Sequence, residues 1–243
     1  MTNYTENFIP HLSERLKLVA SFVPQDSRIA DIGTDHGFVP IYLAKKGRIK
    51  SALAMDVRRG PLERAAAHIK EAEISDIPIS TRLSDGLKEL KPGEADTVII
   101  AGMGGELEIR IIREGKRLWS SIRRFILSPQ SDLEKVRRFL SEQGFSIEKE
   151  AMLREEGKYY TVMSVVRGSM AYGRTIEYRY GKYLLDQKNP VLKEYLKKEE
   201  DRVRAILASF PKEETDLTEG QKKARKVLLE ELSWIREAEY EVQ

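Results

Sequence analysis

The stretch Arg28 to Gly37 reads RIADIGTDHG, which gathers two carboxylates and an imidazole around a glycine turn. Asp31 closes an apolar run, Gly33 stands two positions on, and Thr34, Asp35 and His36 separate it from Gly37. Gly33 lets the backbone turn sharply, and Gly37 lets a helix begin against a ligand whose negative groups the free amides would favour. A nucleoside fits such a loop. The strict dinucleotide signature G-x-G-x-x-G is missing, because Asp35 occupies its second glycine position and a pyrophosphate would have to approach a carboxylate. A nucleoside that carries positive charge is attracted there instead.

Acidic residues recur where later apolar runs end. Asp56 closes LAMDV about 20 residues beyond the first loop, where a bidentate carboxylate grips a ribose diol. Ser84, Asp85 and Gly86 follow in the same way: Asp85 would accept from the exocyclic amine of an adenine, and Gly86 turns the chain away. Taken singly, each aspartate is a turn or helix-capping residue. Together Asp31, Asp35, Asp56 and Asp85 fall on the carboxyl edge of one sheet, the usual ligand crevice of an open α/β fold. S-adenosylmethionine is the ligand they select, since it has no phosphate and its ammonium and sulfonium are cationic.

A fourth run ends in Ala101, Gly102, Met103, Gly104 and Gly105, which reads equally as a tight strand-to-helix turn or as substrate contact. No Asn or Asp followed by prolines and an aromatic stands there, which argues against methylation of an exocyclic amine. Methylation of cytosine C5 needs a cysteine to add to C6, and the sequence has none. A ring nitrogen or an oxygen with an available lone pair remains. For these, positioning in line with the methyl does most of the work.

The elements that must hold these residues alternate. Strands are expected at Arg28 to Ile32, Ser51 to Asp56, Ile79 to Ser84, Thr97 to Ala101 and Phe125 to Ser128, with helical patterns at 39–46, 61–72, 106–118 and 132–143. Such a series implies a parallel sheet covered by helices on both faces. Residues 145–168 then read as two strands joined across EEGK with no helix between them, a hairpin that adds an antiparallel strand at the sheet edge. Five parallel strands and a hairpin outline an α/β, Rossmann-like class I methyltransferase sheet. Ahead of it, Leu12, Leu16, Val19 and Phe22 share one side of a helix expected to lid the sheet. Past Gly168 two seams follow, Leu192, Leu196, Val203, Ile206 and Phe210, then Ala224, Leu228, Trp234, Ile235 and Ala238. They predict an antiparallel C-terminal helical hairpin, and hence domains at 1–168 and 169–243.

Composition sets outer bounds. With 243 residues, 41% hydrophobic and 33% charged, the chain has ordinary globular proportions, and no apolar run approaches the ~18 residues of a membrane span. The polar start MTNYTENFIPHLSERL lacks the form of a secretory signal, so a cytoplasmic protein is expected. The absence of cysteine excludes disulfides and thiolate metal sites, and no metal is expected. Net charge is +3, so affinity for nucleic acid would have to come from local clusters of Lys and Arg.

Taken together, ADIGTDHGFVPIYL, TVIIAGMGG, FILSPQ and REEGKYYTV resemble the bacterial tRNA (adenine-N1)-methyltransferase family TrmK, which modifies adenine 22 in the D arm. The likeness runs from the leading LSERL helix into the C-terminal helices. It implies S-adenosylmethionine as donor, tRNA as partner, and a helical domain that helps hold the RNA. Thr34 and Gly37 stand where family members often have Ser and Ala, and Ser128-Pro129-Gln130 replaces the family's QPN, so no role carries over to Ser128 or Gln130. In this frame Asp35 and His36 are the catalytic candidates. Asp35 either accepts from the target adenine's N6 amine as N1 is alkylated, or binds the methionine ammonium while His36 packs. RNA contacts are expected from Arg15, Arg58, Arg59, Gly105 and Tyr159, the tyrosine as a stacking surface for a displaced base. Further cations stand at Arg110, Arg113, Lys116 and Arg117, and at Lys222, Lys223, Arg225 and Lys226. A monomer or weak homodimer is expected.

Overall fold

The computed structural model describes residues 9–213, 215 and 217–243. The opening stretch 1–8, part of the polar start read above, lies outside them, as do two residues of the polar loop between the long helices. The chain divides into two compact units, one of Met1–Glu150 with Tyr160–Met170, the other of Ala151–Tyr159 with Ala171–Gln243.

In the first unit, β1 (Ser27–Ile32), β2 (Ile49–Asp56), β3 (Ile79–Leu83), β4 (Thr97–Ala101) and β5 (Arg124–Ser128) pair in parallel. Between them come α2 (Phe38–Lys45), α3 (Arg59–Glu71) and α4 (Gly105–Glu114), with α1 (Glu14–Phe22) ahead of β1 and α5 (Leu133–Glu142) after β5. The strands β6 (Phe145–Glu155) and β7 (Lys158–Arg167) complete the sheet in the order β3-β2-β1-β4-β5-β7-β6. β7 runs antiparallel to β5, so the reversed strand lies one place in from the edge and β6 is outermost. Glu156 and Gly157, both with positive φ, make the two-residue turn, the form that matches the twist of the flanking strands.

Central β4 carries four buried residues in succession, as a strand covered on both faces must, whereas edge β3 is only partly covered. The leading helix takes its N-cap from Ser13, whose Oγ accepts from Leu16 N at 3.3 Å, and it buries Val19, Ala20 and Phe22. α4 ends at Glu114 with Gly115 as its C-cap, and a 3-10 turn at Lys116–Leu118 carries the helical pattern on to Leu118. A side chain at Gly115 would meet Leu87 Cδ1 at 2.4 Å, so packing fixes that stop. One fully buried ion pair, Arg137 with Glu150 at 2.6 Å, joins α5 to β6.

In the second unit, α7 (Pro190–Ala208) and α8 (Glu219–Glu241) pack around Leu192, Leu196, Val203, Leu232, Ile235 and Ala238. Asn189 caps α7, and a capping box of Thr218 and Gln221 opens α8. The expected seams loosen toward the connecting loop, where Ile206 and Ala224 are exposed. The two-helix expectation was incomplete: a π turn at Glu177–Gly181 leads into α6 (Lys182–Asp186), which adds Ile176, Tyr180, Leu184 and Leu185 to the same core. Among the described residues no helix is long and apolar enough to cross a membrane.

Candidate functional site

The carboxyl ends of β1, β2 and β4 open into a cleft with two lobes that share Gly33, Ala101 and Gly102. One lobe, about 250 Å³, is lined by Arg15, Asp31, Thr34, Asp35, His36 and Gly37, with Gln130 at its wall. The other, about 320 Å³, is lined by Asp56, Ser84, Asp85 and Gly86, with Val57, Leu107, Arg110 and Ile111 as walls. Together they fall within the range of small-molecule sites, roughly 300–1,000 Å³.

The floor between the lobes is bare backbone. Gly33 has φ +77°, and a Cβ there would lie 2.1 Å from Met103 Cε, so the methionine crosses the passage where a side chain would block it. Gly102 has φ +92°, and a Cβ would lie 3.4 Å from Arg15 Nη1.

The charges around the cleft differ in state. Asp31 is buried, and burial raises its pKa from 3.8 to about 6, with a hydrogen bond from Thr34 opposing and the Asp56 charge adding to the rise. A buried carboxylate that forms no ion pair among the described residues suits a cationic ligand. Asp56 Oδ1 accepts from Arg58 N at 2.8 Å and lies 3.6 Å from Arg58 Nε, the geometry of a turn-forming aspartate that also holds an arginine. Asp85 is paired with Lys88 at 2.6 Å and with Arg110 at 3.1 Å, and the Lys88 hydrogen bond leads in holding its carboxyl below the usual range. Asp35, at the mouth, is ion-paired to Arg64, whose hydrogen bond lowers its pKa. His36 Nε2 lies 3.2 Å from Asp35 Oδ2, and its ring stacks on Phe38 at 5.0 Å.

Several expected site residues stand elsewhere or do other work. Gly104 and Gly105 line neither lobe. Gly105 N donates to Ser131 Oγ at 3.3 Å, and a Cβ on Gly105 would meet the Ser131 carbonyl at 2.5 Å, so this glycine lets α4 start against the β5–α5 loop. Ser84 holds its own turn, donating to Gly86 O at 2.8 Å. Arg58, expected at the RNA, turns to Asp56 and lines the lobe beside it, and Arg15 lines the other lobe. Arg59 is exposed at the start of α3.

Tyr159 belongs to the second unit, in an open groove of about 840 Å³ whose walls mix Arg154, Lys193, Lys197 and Lys198 with Glu194, Asp201 and Glu239. There its hydroxyl donates to Glu194 at 2.9 Å and Lys198 Nζ lies 5.2 Å from its ring.

Sequence reasoning passed over Val57, Leu107 and Ile111, the apolar walls of the lobe around Asp56 and Asp85. Val57 carried a signal, an apolar residue directly after an acidic strand tip, and it is 60% exposed. Among the described residues no cluster of three or more His, Asp or Glu side chains is arranged to hold a metal.

Residues 12–163 match the family model described as a methyltransferase domain. The tRNA (adenine(22)-N(1))-methyltransferase of Bacillus subtilis is 33% identical over 196 residues, which cover 77% of this chain and 79% of that one. The chain belongs to the tRNA (adenine(22)-N1)-methyltransferase family. A Streptococcus pneumoniae protein described as a candidate tRNA (m1A22) methyltransferase superposes with TM-score 0.86 at 33% identity, over 94% of this chain and all of that one. The same protein solved in complex with S-adenosyl-L-methionine gives TM-score 0.84 at 32% identity, again over 94% of this chain and 100% of that one. The sheet order with one reversed strand is the Rossmann-like scaffold expected from the strand pattern.

Proposed function

We infer that this chain transfers a methyl group from S-adenosyl-L-methionine to N1 of adenine 22 in tRNA. The observation that carries this reading is the 33% identity, over 77% of the chain, with a Bacillus subtilis enzyme named for that reaction. The chemistry of the cleft supports it: buried Asp31 and exposed Asp35 for cationic groups, Asp56 for ribose hydroxyls, Asp85 with apolar Val57, Leu107 and Ile111 for a purine.

When bound, the donor supplies an electrophilic methyl on a sulfonium. The chain's own residues bind and orient. Asp56 and Asp85 fix the nucleoside end, Met103 and the glycine floor set the depth, and Asp31 and Asp35 hold the amino-acid end. N1 of adenine already has a lone pair, so no residue has to generate the nucleophile. Asp35 is kept ionised by Arg64 and His36, which makes it an acceptor for an N–H group and a poor proton carrier near neutral pH. Arg59 and the cations of α8 are offered as phosphate contacts, and Tyr159 as a stacking surface in the second unit.

Incubation with unmodified tRNA and labelled donor, followed by nucleoside analysis and mapping, tests the reading. The expected product is 1-methyladenosine at position 22. Label on N6, at another position, or on no tRNA nucleoside overturns it.

A further inference from the structure

Three arginines line the cleft, and two of them hold a carboxylate, Arg58 with Asp56 at 3.6 Å and Arg110 with Asp85 at 3.1 Å. Arg15 holds none. Its Nη1 is shut off from solvent and has no hydrogen-bond partner among the described residues. The guanidinium lies over the face of Tyr160, 5.5 Å from the ring centroid, and the bare backbone of Gly102 lies beside it. The side chain is set there by a fixed helix, since α1 is capped by Ser13 and buries Val19, Ala20 and Phe22 against the sheet domain.

A guanidinium cannot relieve this by losing a proton, because it stays charged at any physiological pH. A desolvated donor without a partner costs free energy that a seated anion removes. Two anions are available to this cleft, a carboxylate from the donor and a phosphate from the RNA. The lobe around Arg15 also contains Asp31 and Asp35. Those carboxylates repel a phosphodiester. They match a zwitterion, whose ammonium they attract while its carboxylate meets the arginine.

We propose that Arg15, carried by the helix ahead of the sheet, is the anion receptor for the carboxylate of the methyl donor's methionine end. The proposal rests on the donor-dependent reading given above, and it assigns Arg15 to donor recognition rather than to the RNA contact expected from sequence. It makes Arg15 a specificity residue. A donor stripped of its carboxylate should lose what this residue contributes.

Calorimetric binding of S-adenosylmethionine and of decarboxylated S-adenosylmethionine to the wild-type protein, Arg15→Gln and Arg15→Lys tests it. The wild type should prefer the intact donor by about 10- to 100-fold, as expected for a charge-assisted hydrogen bond. Arg15→Gln should lose that preference by weakening the intact donor alone, and Arg15→Lys should recover part of it. Parallel weakening of both donors, or unchanged donor binding with weaker tRNA binding, overturns the assignment. The wild-type comparison needs no variant to fold: a wild type that binds both donors alike refutes the role of Arg15, whereas one that binds neither refutes the donor-dependent reading beneath it.

Discussion

Arg64, on α3, donates to Oδ1 of Asp35, so the carboxylate at the mouth of the cleft stands in an ion pair with a residue 29 positions along the chain. That contact bears on the two roles open to Asp35 from sequence. The arginine keeps the carboxyl ionised, with His36 and Arg58 adding to the same effect. An anion so held attracts an ammonium more readily than it takes up a proton. Asp35→Asn is therefore expected to weaken donor affinity by about tenfold, the size of a lost charged hydrogen bond, with a smaller change in kcat. Titration of the donor beside single-turnover kinetics measures both; a fall in kcat at unchanged affinity would assign Asp35 to the base.

Asp31 makes the cleft sensitive to pH. Its folded pKa of about 6 lies above the ordinary 3.8 because of burial. The sign follows from linkage: the carboxyl contributes stability below about pH 4, and that contribution is lost as pH rises through 6. Asp31→Asn should therefore raise the stability of the free protein at pH 7, by up to about 2 kcal/mol, while weakening the donor. Conversely, a cation seated beside Asp31 favours its ionised form. Donor affinity should climb as pH passes upward through 6, with proton release visible when calorimetry is repeated in buffers of different ionisation enthalpy.

Gly105 separates packing from contact. A methyl there meets backbone, the Ser131 carbonyl at 2.5 Å, and also Val136 Cγ2 at 2.9 Å. Gly105→Ala is expected to cost roughly 1–3 kcal/mol, the usual price of overpacking. Denaturant titration should show the loss, while the folded fraction keeps its donor affinity.

Glu108, on the buried side of α4, has both carboxylate oxygens without a hydrogen-bond partner among the described residues, and burial raises its pKa well above the usual range. Its sign matches that of Asp31, with stability lost as pH rises. Glu108→Met should stabilise the protein near neutrality by about 1–3 kcal/mol and flatten the pH dependence of Tm between wild type and variant.

The strand tips were legible because they combine a two-residue period with a change of chemistry at the last position. Asp31, Asp56 and Asp85 could be placed on one edge without coordinates for that reason. The hairpin was legible because two strand patterns flank EEGK with no helix between them. Long-range pairing was not. Nothing local ties Arg64 to Asp35, or Arg58 back to Asp56 rather than outward to RNA, because a long cationic side chain on a helix looks the same in either use. Gly105 is ambiguous in sequence for a similar reason: a glycine beside a ligand and a glycine beside a neighbouring carbonyl read identically. The helix at Lys182–Asp186 escaped because it is too short to establish a period.

The helical tail is not a contiguous piece of sequence. Residues 151–159, the tip of the hairpin, count with it, and they reach it through Tyr159 with Glu194 and Tyr195, Arg154 with Glu194, and Met152 against its core. A fragment begun at Ala171 would leave out nine residues that the tail uses, and no single scissor cut of the gene yields both halves intact. Dissection of this enzyme calls for each half to be rebuilt from its two segments, with a short linker closing the gap that the other half leaves.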